Sequence, residues 1–291
     1  MNIKKILGIV VALAIVAFIG FNVFGNQKPE TIDTVKTGTV TEENISEVLS
    51  LTGTLVPNET KDVYGQGIVN EVKFSVGDAV NQDDVVLTYK DGTEIKAPFN
   101  GKIIALNVKN DEVDTGAQSG KPAVSFANLE TLKVEVNLSK SEASKIKKDQ
   151  VVVLTNAGEK YAGHVTEVNP VAVTSQSATG SVTALPAVIS FDQAPTDLIA
   201  GFTIDATVTT NTVENVLAIP VEAILYDKDN QPYVYIASEN KDKKAVAKKV
   251  TIETGLQSDT KIEVKTGLEK GQKVVLSPDE KLSDGALIKE K

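Results

Sequence analysis

Apolar and polar residues alternate along most of the chain, but residues 6–24 form one apolar run without charge. The run follows Lys4 and Lys5, and as a helix it would be roughly 28 Å long, close to the thickness of a bilayer's hydrocarbon core. It exceeds the usual apolar region of a secretory signal, and residues 20–25 make a poor cleavage site. An uncleaved anchor over residues 1–25 is therefore favoured over a cleaved signal, with the basic end in the cytoplasm and the rest outside the cell.

A near-repeat follows the polar linker at residues 26–30. Gly67 and Gly101 each begin a run with apolar residues two, five and seven positions on, and a turn rich in Gly, Asn and Asp follows each run. We align the second copy as one residue shorter at that turn. Between the copies, Asp91-Gly92 predicts a two-residue type I′ hairpin turn with positive φ at both positions. The two copies are expected to be short strands that bury one apolar face together.

The middle of the chain predicts a small β-barrel with one short helix. Residues 132–138 alternate as a strand, and Ser139 with Glu142 forms a capping-box pattern that begins a helix through Ile146. Strands resume at Val151. Residues 172–184, rich in Ser, Thr and Gly, predict an exposed loop or a mobile hairpin tip.

Composition excludes several kinds of chemistry. Cysteine is absent, so disulfides, thiolate catalysis and zinc–thiolate sites are excluded. His164 is the only histidine, and its alternating strand favours a surface position over a ligand role. The formal net charge is −9 and all 30 basic residues are lysines, which disfavours nucleic-acid binding because bidentate arginine contacts are missing. We expect no catalytic site, no cofactor and no metal.

Residues 61–130 resemble the lipoyl/biotinyl domain, a flattened β-sandwich of two pseudo-symmetric halves. The matching motifs are Gly67-x-Val69, Gly77-Asp78-x-Val80 and Ala97-Pro98-x-x-Gly101-x-Ile103. In carrier domains of that family the lysine that bears the cofactor lies at a hairpin tip eight residues before the proline, as Lys90 lies before Pro98. The triplet Tyr89-Lys90-Asp91 departs from the Met-Lys-Met of biotinylated domains and the Asp-Lys-Ala of lipoylated ones. A solvent-facing lysine beside a turn is favoured over modification.

The order of segments resembles the membrane fusion proteins, or periplasmic adaptor subunits, of HlyD and MacA type. After the anchor, lipoyl halves and barrel come Pro220-Val221-Glu222-Ala223-Ile224 and Gly267-Leu268-x-x-Gly271-x-x-Val274-Val275. The resemblance implies a mainly β protein in which residues 31–60 and 216–291 form a membrane-proximal domain, residues 61–130 a lipoyl-like (barrel-sandwich hybrid) domain, and residues 131–215 the barrel. It further implies a non-enzymatic adaptor that assembles as a ring, commonly of six copies, around a multi-pass permease with its ATPase.

The sequence departs from that family between the two lipoyl halves, where most of these adaptors insert a coiled-coil hairpin. Only Lys90, Asp91, Gly92 and Thr93 occupy the insertion point, and no heptad run occurs in the sequence. These four residues are the candidates for partner contact. We infer either a Gram-positive-type cell without an outer membrane or a partner that itself extends the distance that the hairpin would span. The alternatives are a biotin or lipoate carrier modified at Lys90, and an envelope scaffold that binds wall components.

Overall fold

The computed structural model describes residues 32–177, 180–279 and 281–291. The predicted anchor and linker lie outside the described residues. In the described ranges, no helix has the length and apolar character needed to cross a membrane. The chain falls into two compact units: an end unit, Met1–Ser46 with Thr212–Lys291, and a central unit, Glu47–Asn211.

The described chain is mainly β, as predicted. Its first strands are β1 (Asp33–Thr39), β2 (Thr41–Val63), β3 (Gly67–Val72), β4 (Ala79–Val80), β5 (Val85–Tyr89), β6 (Glu94–Lys96), β7 (Gly101–Leu106) and β8 (Val113–Asp114). Helix α1 (Gly116–Ser119), β9 (Val124–Leu138), helix α2 (Lys140–Ala143), β10 (Val151–Asn156), β11 (Glu159–Val168), β12 (Val173–Ser177), β13 (Gly180–Phe191) and β14 (Thr203–Pro220) follow. The last elements are a 3₁₀ turn (Val221–Ala223), β15 (Leu225–Tyr226), β16 (Pro232–Glu239), β17 (Ala245–Thr251), β18 (Glu253–Gln257), β19 (Lys261–Thr266), β20 (Lys273–Leu276) and β21 (Ile288–Glu290).

The near-repeat forms two interlocked halves related by a shift of thirty-four residues. Strand β4 of the first half pairs with β7 of the second through Val80 and Gly101, and β8 pairs with β3 through Asp114 and Gly67. The prediction that the second copy is one residue shorter was wrong. Asp114, rather than Val113, is the equivalent of Val80, and it is buried while Val113 is 67% exposed.

Backbone hydrogen bonds repeat with the same period. The Gly77 N–H donates to the Ile103 carbonyl at 2.8 Å, and the Asp111 N–H donates to the Val69 carbonyl at 2.9 Å. Gly77 has a φ of +97° and Asp111 a φ of +63°, so the second half places an aspartate where the first has a glycine. Aspartate tolerates the left-handed region better than most residues, which lets both turns share one geometry.

One apolar core joins the two halves. The positions predicted to be apolar in each copy contribute to it on both sides, because alternate residues of a strand face the same way. Its buried members are Val69, Val80, Val86, Leu87, Tyr89, Ile95, Ala97, Ile103, Val108, Ala123, Val124 and Phe126, and Val72, Phe74 and Leu106 pack against them.

The second part of the central unit is a closed β-barrel. The strand order runs β13, β11, β10, β14, β2, β9, and β9 pairs again with β13 from Leu138↔Leu185 to Lys133↔Ser190. Alternating Val, Ile, Leu and Ala side chains fill the interior, as expected for residues that suit a pleated surface. Strands β2 and β9 continue from the barrel into the lipoyl-like part, where they pair up to Val63↔Val124.

Helix α2 begins with the predicted capping box. The Glu142 N–H donates to the Ser139 hydroxyl, and the Ser139 N–H donates to the Glu142 carboxylate at 2.7 Å. The helix ends at Ala143, earlier than predicted, and the next two residues form a turn in which the Lys145 N–H donates to the Glu142 carbonyl at 2.9 Å. Ile146 is nevertheless buried in the barrel core.

The end unit uses both ends of the described chain. Strand β1 pairs antiparallel with β20 and parallel with β21, and β20 pairs with β16. The last residues of β14 pair with β19, which also pairs with β18. Two apolar clusters around Val234 and Tyr235 fill this unit.

Candidate functional site

The hairpin between β5 and β6 ends in the four residues Lys90, Asp91, Gly92 and Thr93, here called the tip. The Tyr89 N–H donates to the Thr93 carbonyl at 2.8 Å, and the Gly92 N–H donates to the Tyr89 carbonyl at 3.0 Å. Gly92 has a φ of +90°, whereas Asp91 does not have a positive φ. The predicted two-residue type I′ turn was therefore wrong. The loop has three residues, and its last residue, Gly92, adopts the left-handed conformation. Asp91 therefore does not need a positive φ.

Charged side chains at the tip are exposed and held in place. The Thr93 N–H donates to the Asp91 carboxylate at 2.9 Å, and this hydrogen bond holds the pKa of Asp91 below its usual value. The Lys90 Nζ lies 2.7 Å from the Asp111 carboxylate, with the two side chains 50% and 76% exposed. The Lys90 N–H also donates to the Ile68 carbonyl at 2.9 Å. The tip is a fixed polar surface rather than a pocket.

A buried hydrogen-bonded pair lies directly beneath the tip. The Tyr89 hydroxyl donates to the Asp114 Oδ2 at 2.5 Å, and the Gly116 N–H donates to Asp114 Oδ1 at 2.7 Å. Tyr89 is 3% exposed and Asp114 is 5% exposed. Burial, and then the hydrogen bond to Asp114, raise the pKa of Tyr89 far above its usual value, so the hydroxyl stays a donor.

Glycine is required beside this pair. A Cβ at Gly65 would lie 1.7 Å from the Tyr89 hydroxyl oxygen and 2.7 Å from Asp114 Oδ2. The Gly65 carbonyl in turn accepts from the Ala117 N–H at 3.0 Å, which ties helix α1 to the same place. Sequence analysis missed the pair. The signal that points to it is the thirty-four-residue period, which places Asp114 at a core position.

The surroundings of Lys90 bear on the carrier alternative. A carrier lysine extends into solvent and forms an amide with its cofactor. Here the ammonium group pairs with Asp111, and acylation of Lys90 would remove that ion pair. The Tyr89-Lys90-Asp91 triplet also departs from the carrier motifs.

Two other residues singled out in the sequence have structural partners. The His164 Nδ1 lies 2.8 Å from the Asp192 Oδ1, with both side chains partly exposed on the barrel surface. The Glu222 carboxylate accepts from the Ser277 hydroxyl at 2.8 Å, and its carbonyl accepts from the Ser277 N–H at 2.8 Å. Ser277 has a φ of +44°, so Glu222 supports a turn. No cluster of metal-ligating side chains occurs among the residues that the structure describes.

An apolar groove lies in the central unit and was not predicted. It has a volume of about 450 Å³ and is lined by Pro57, Ile104, Leu129, Leu132, Leu198, Ile199, Ala200 and Gly201. Four separate segments supply these residues, so no local sequence pattern marks it.

Two protein-family models match parts of the chain. Residues 216–290 match the model described as "YknX, C-terminal permuted SH3-like domain", and residues 54–118 match the model described as "Biotin-requiring enzyme". The second match covers the two pseudo-symmetric halves and the tip.

Curated relatives match about two thirds of the chain. An efflux-system component named YknX from Bacillus subtilis strain 168 is 27% identical over 203 residues, which are 67% of this chain and 52% of the relative. The pyoverdine export membrane fusion protein PvdR of Pseudomonas aeruginosa is 23% identical over 208 residues, 64% of this chain and 52% of the relative. The chain thus spans about half the length of these relatives.

A solved structure shares the fold. The crystal structure of MacA from Actinobacillus actinomycetemcomitans matches with a TM-score of 0.68 at 18% identity, over 83% of this chain and 99% of that chain.

Proposed function

Because the chain belongs to the membrane fusion protein family, we propose that it is the extracytoplasmic adaptor of an export system. In this role the protein couples a transporter's conformational cycle to efflux and catalyses no reaction itself. The curated relatives are named as transport components, which supports this assignment.

The path of the chain is the observation that carries the proposal. The lipoyl-like part and the barrel form the central unit, while the C-terminal strands β20 and β21 return to pair with β1 in the end unit. A carrier domain needs only the lipoyl-like part. The additional barrel and the end unit match the fold of MacA over nearly the whole of that chain.

The finer parts of the proposal concern the membrane and the partner. Residues 6–24 anchor the protein as a single-pass helix with its N-terminus in the cytoplasm, which places both units outside the cell membrane. The partner is a multi-pass permease with its ATPase, of the ABC type, and the adaptor forms a ring of six copies around it. The end unit is the membrane-proximal domain of that ring.

The tip is proposed to contact a partner directly. It replaces the long hairpin of related adaptors by a three-residue loop, so its contact lies close to the lipoyl-like domain. In a Gram-positive-type envelope there is no outer membrane, so the adaptor does not need a longer hairpin. Lys90 and Asp91 offer one charge of each sign at this surface.

Affinity purification of the tagged full-length protein from mild detergent, followed by mass spectrometry, tests the function. We expect a multi-pass permease and its ATPase to co-purify. Intact-mass measurement of the same sample is expected to give the unmodified 30.9 kDa chain. A Lys90→Gln variant is the matched control for modification, because it removes the amine without changing the fold's buried residues.

Other outcomes assign other functions. Recovery with carboxylase or dehydrogenase subunits, together with a mass increase that Lys90→Gln abolishes, would establish the carrier. Recovery with neither permease nor ATPase, but with wall polymer, would establish an envelope scaffold. In either case the adaptor proposal would be wrong.

A further inference from the structure

The hairpin of β12 and β13 projects a two-stranded ribbon, here called the ribbon, from the barrel. Its register pairs Val173 with Ala184 and Ser175 with Val182, which puts these four side chains on one face. The opposite face carries hydroxyl and amide groups: the Thr174 and Thr183 hydroxyls lie 2.8 Å apart, and Gln176 pairs with Ser181. The ribbon therefore has one face with two valines, an alanine and a serine, here called the apolar face, and an opposite face that is polar throughout.

The apolar face of the ribbon is open to solvent. Val173 is 54% exposed and Val182 is 58% exposed. Among the described strands β12 pairs only with β13, so its outer edge is free. Natural proteins usually protect such an edge with charged residues, but residues 168–191 contain no charge in a chain that is 24% charged. This combination marks a surface that another protein covers.

The apolar groove shares the ribbon's lack of charge. None of its eight lining residues is charged. Ile199, at its rim, is 64% exposed, and the loop that carries it is fixed because the Gly201 N–H donates to the Leu55 carbonyl at 2.7 Å. A concave site with a volume of about 450 Å³ accommodates a few aliphatic side chains.

The ribbon of one copy cannot reach its own groove. Leu132 lines the groove, and the ribbon begins beyond Leu138, where β9 pairs with Leu185 of β13. Six residues of extended strand separate these points by about 20 Å. The two apolar surfaces therefore lie at opposite ends of the barrel strands and can meet only between molecules.

We propose that the apolar face of the ribbon docks into the apolar groove of a second copy of this chain. Each copy carries a net charge of −9, so two copies repel one another over most of their surface. The ribbon and the groove bring them together without opposing like charges. The contact is head-to-tail, the kind that forms a ring when its rotation closes. This inference rests on the proposed adaptor function and identifies the surface through which its copies assemble.

Engineered cysteines test the contact directly, because the natural chain contains none. Full-length Val182→Cys and Ile199→Cys variants with different tags are purified in mild detergent, mixed and oxidised. A disulfide forms only between cysteines whose Cα atoms approach within about 7 Å. We expect a disulfide-linked species at twice the 30.9 kDa chain mass that carries both tags. Thr183→Cys, on the polar face next to Val182, is the matched control and should not link to Ile199→Cys.

Three outcomes would overturn the inference. Self-linking of Val182→Cys without a link to Ile199→Cys would indicate a symmetric contact between ribbons. Equal linking of Thr183→Cys would show that the apolar face does not decide the contact. Absence of any link would show that ribbon and groove do not meet.

A second measurement does not depend on disulfides. Val182→Glu places a charge on the apolar face, and we expect the dissociation constant of the assembly to rise about tenfold or more by light scattering. Thr183→Glu places the same charge on the polar face and should leave it unchanged; equal effects would contradict the inference. Permease recovery is scored on the same variants. Co-purification of a permease without a disulfide between ribbon and groove would refute this inference alone. A disulfide between ribbon and groove without co-purification of a permease would refute the proposed function alone.

Discussion

Replacing Tyr89 with phenylalanine tests whether the buried pair beneath the tip stabilises the central unit. The change removes only the hydroxyl that donates to Asp114 Oδ2 at 2.5 Å, and the Gly116 N–H remains on Oδ1. A hydrogen bond to a charged group contributes about 1.5–3 kcal/mol, and burial prevents water from replacing it. We expect Tyr89→Phe to lower the free energy of unfolding by about 2 kcal/mol.

Asp114→Val completes a double-mutant cycle, since valine is the residue at the equivalent position of the first half. Alone, it leaves the Tyr89 hydroxyl and the Gly116 N–H without an acceptor, and we expect a loss of about 3 kcal/mol. In the double variant no tyrosine hydroxyl remains to be satisfied. The combined loss should therefore be smaller than the sum of the single losses by about 1–2 kcal/mol.

Differential scanning calorimetry of the full-length protein in detergent measures these losses. For a unit of the size of Glu47–Asn211, a loss of about 2 kcal/mol lowers Tm by about 4–8 °C. Tyr161→Phe is the matched control, because the Tyr161 hydroxyl donates to Asp197 at 2.7 Å with both groups exposed. Its Tm should change much less. Equal shifts for the two tyrosines, or strictly additive losses in the cycle, would refute the reasoning.

Three further predictions follow from single contacts. Because folding raises the pKa of Tyr89 above its ordinary 10.0, the contribution of Tyr89 to the free energy of unfolding is present below pH 10 and is lost as the pH rises above 10. In urea unfolding, the stability of the natural protein should therefore fall more steeply at alkaline pH than that of Tyr89→Phe. Parallel pH profiles for the two proteins would contradict this. A Cβ at Gly163 would lie 2.5 Å from the Ser190 carbonyl oxygen across β11 and β13. Gly163→Ala should therefore lower the free energy of unfolding, measured in urea, by about 1–3 kcal/mol. An unchanged urea midpoint would show that the two strands move apart to accommodate the methyl group. Lys90→Gln breaks an exposed ion pair and should change the unfolding free energy by less than about 1 kcal/mol, while a larger loss would show that the tip is structural.

Strand alternation and the near-repeat predicted most of the fold. The repeat positions were predictable because alternating burial along a strand requires alternating apolar and polar residues in the sequence. Val69 and Ile103, one from each copy, accordingly lie in one core. The capping box of Ser139 and Glu142 was predictable for the same reason, since both partners are local. The anchor predicted at residues 6–24 stays a prediction.

The parts that sequence analysis missed depend on contacts between distant segments. Asp91-Gly92 is compatible with two hairpin loops, and the pairing of Tyr89 with Thr93 decides between them. The apolar groove joins residues as far apart as Pro57 and Ile199, which no local window contains. The ribbon did have a signal, the absence of charge over residues 168–191, but composition alone does not give the register that separates its two faces.

The buried pair explains how so short a tip can serve as a contact surface. Tyr89 is the last residue before the tip, and its side chain is held by Asp114 from the second half. Lys90 is held by the Ile68 carbonyl of the first half and by Asp111 of the second half. Both halves thus fix the direction in which the loop leaves the domain, and little conformational entropy is lost when a partner binds. If this is correct, Tyr89→Phe should weaken recovery of the partner even at a temperature where the central unit stays folded, whereas Tyr161→Phe should not.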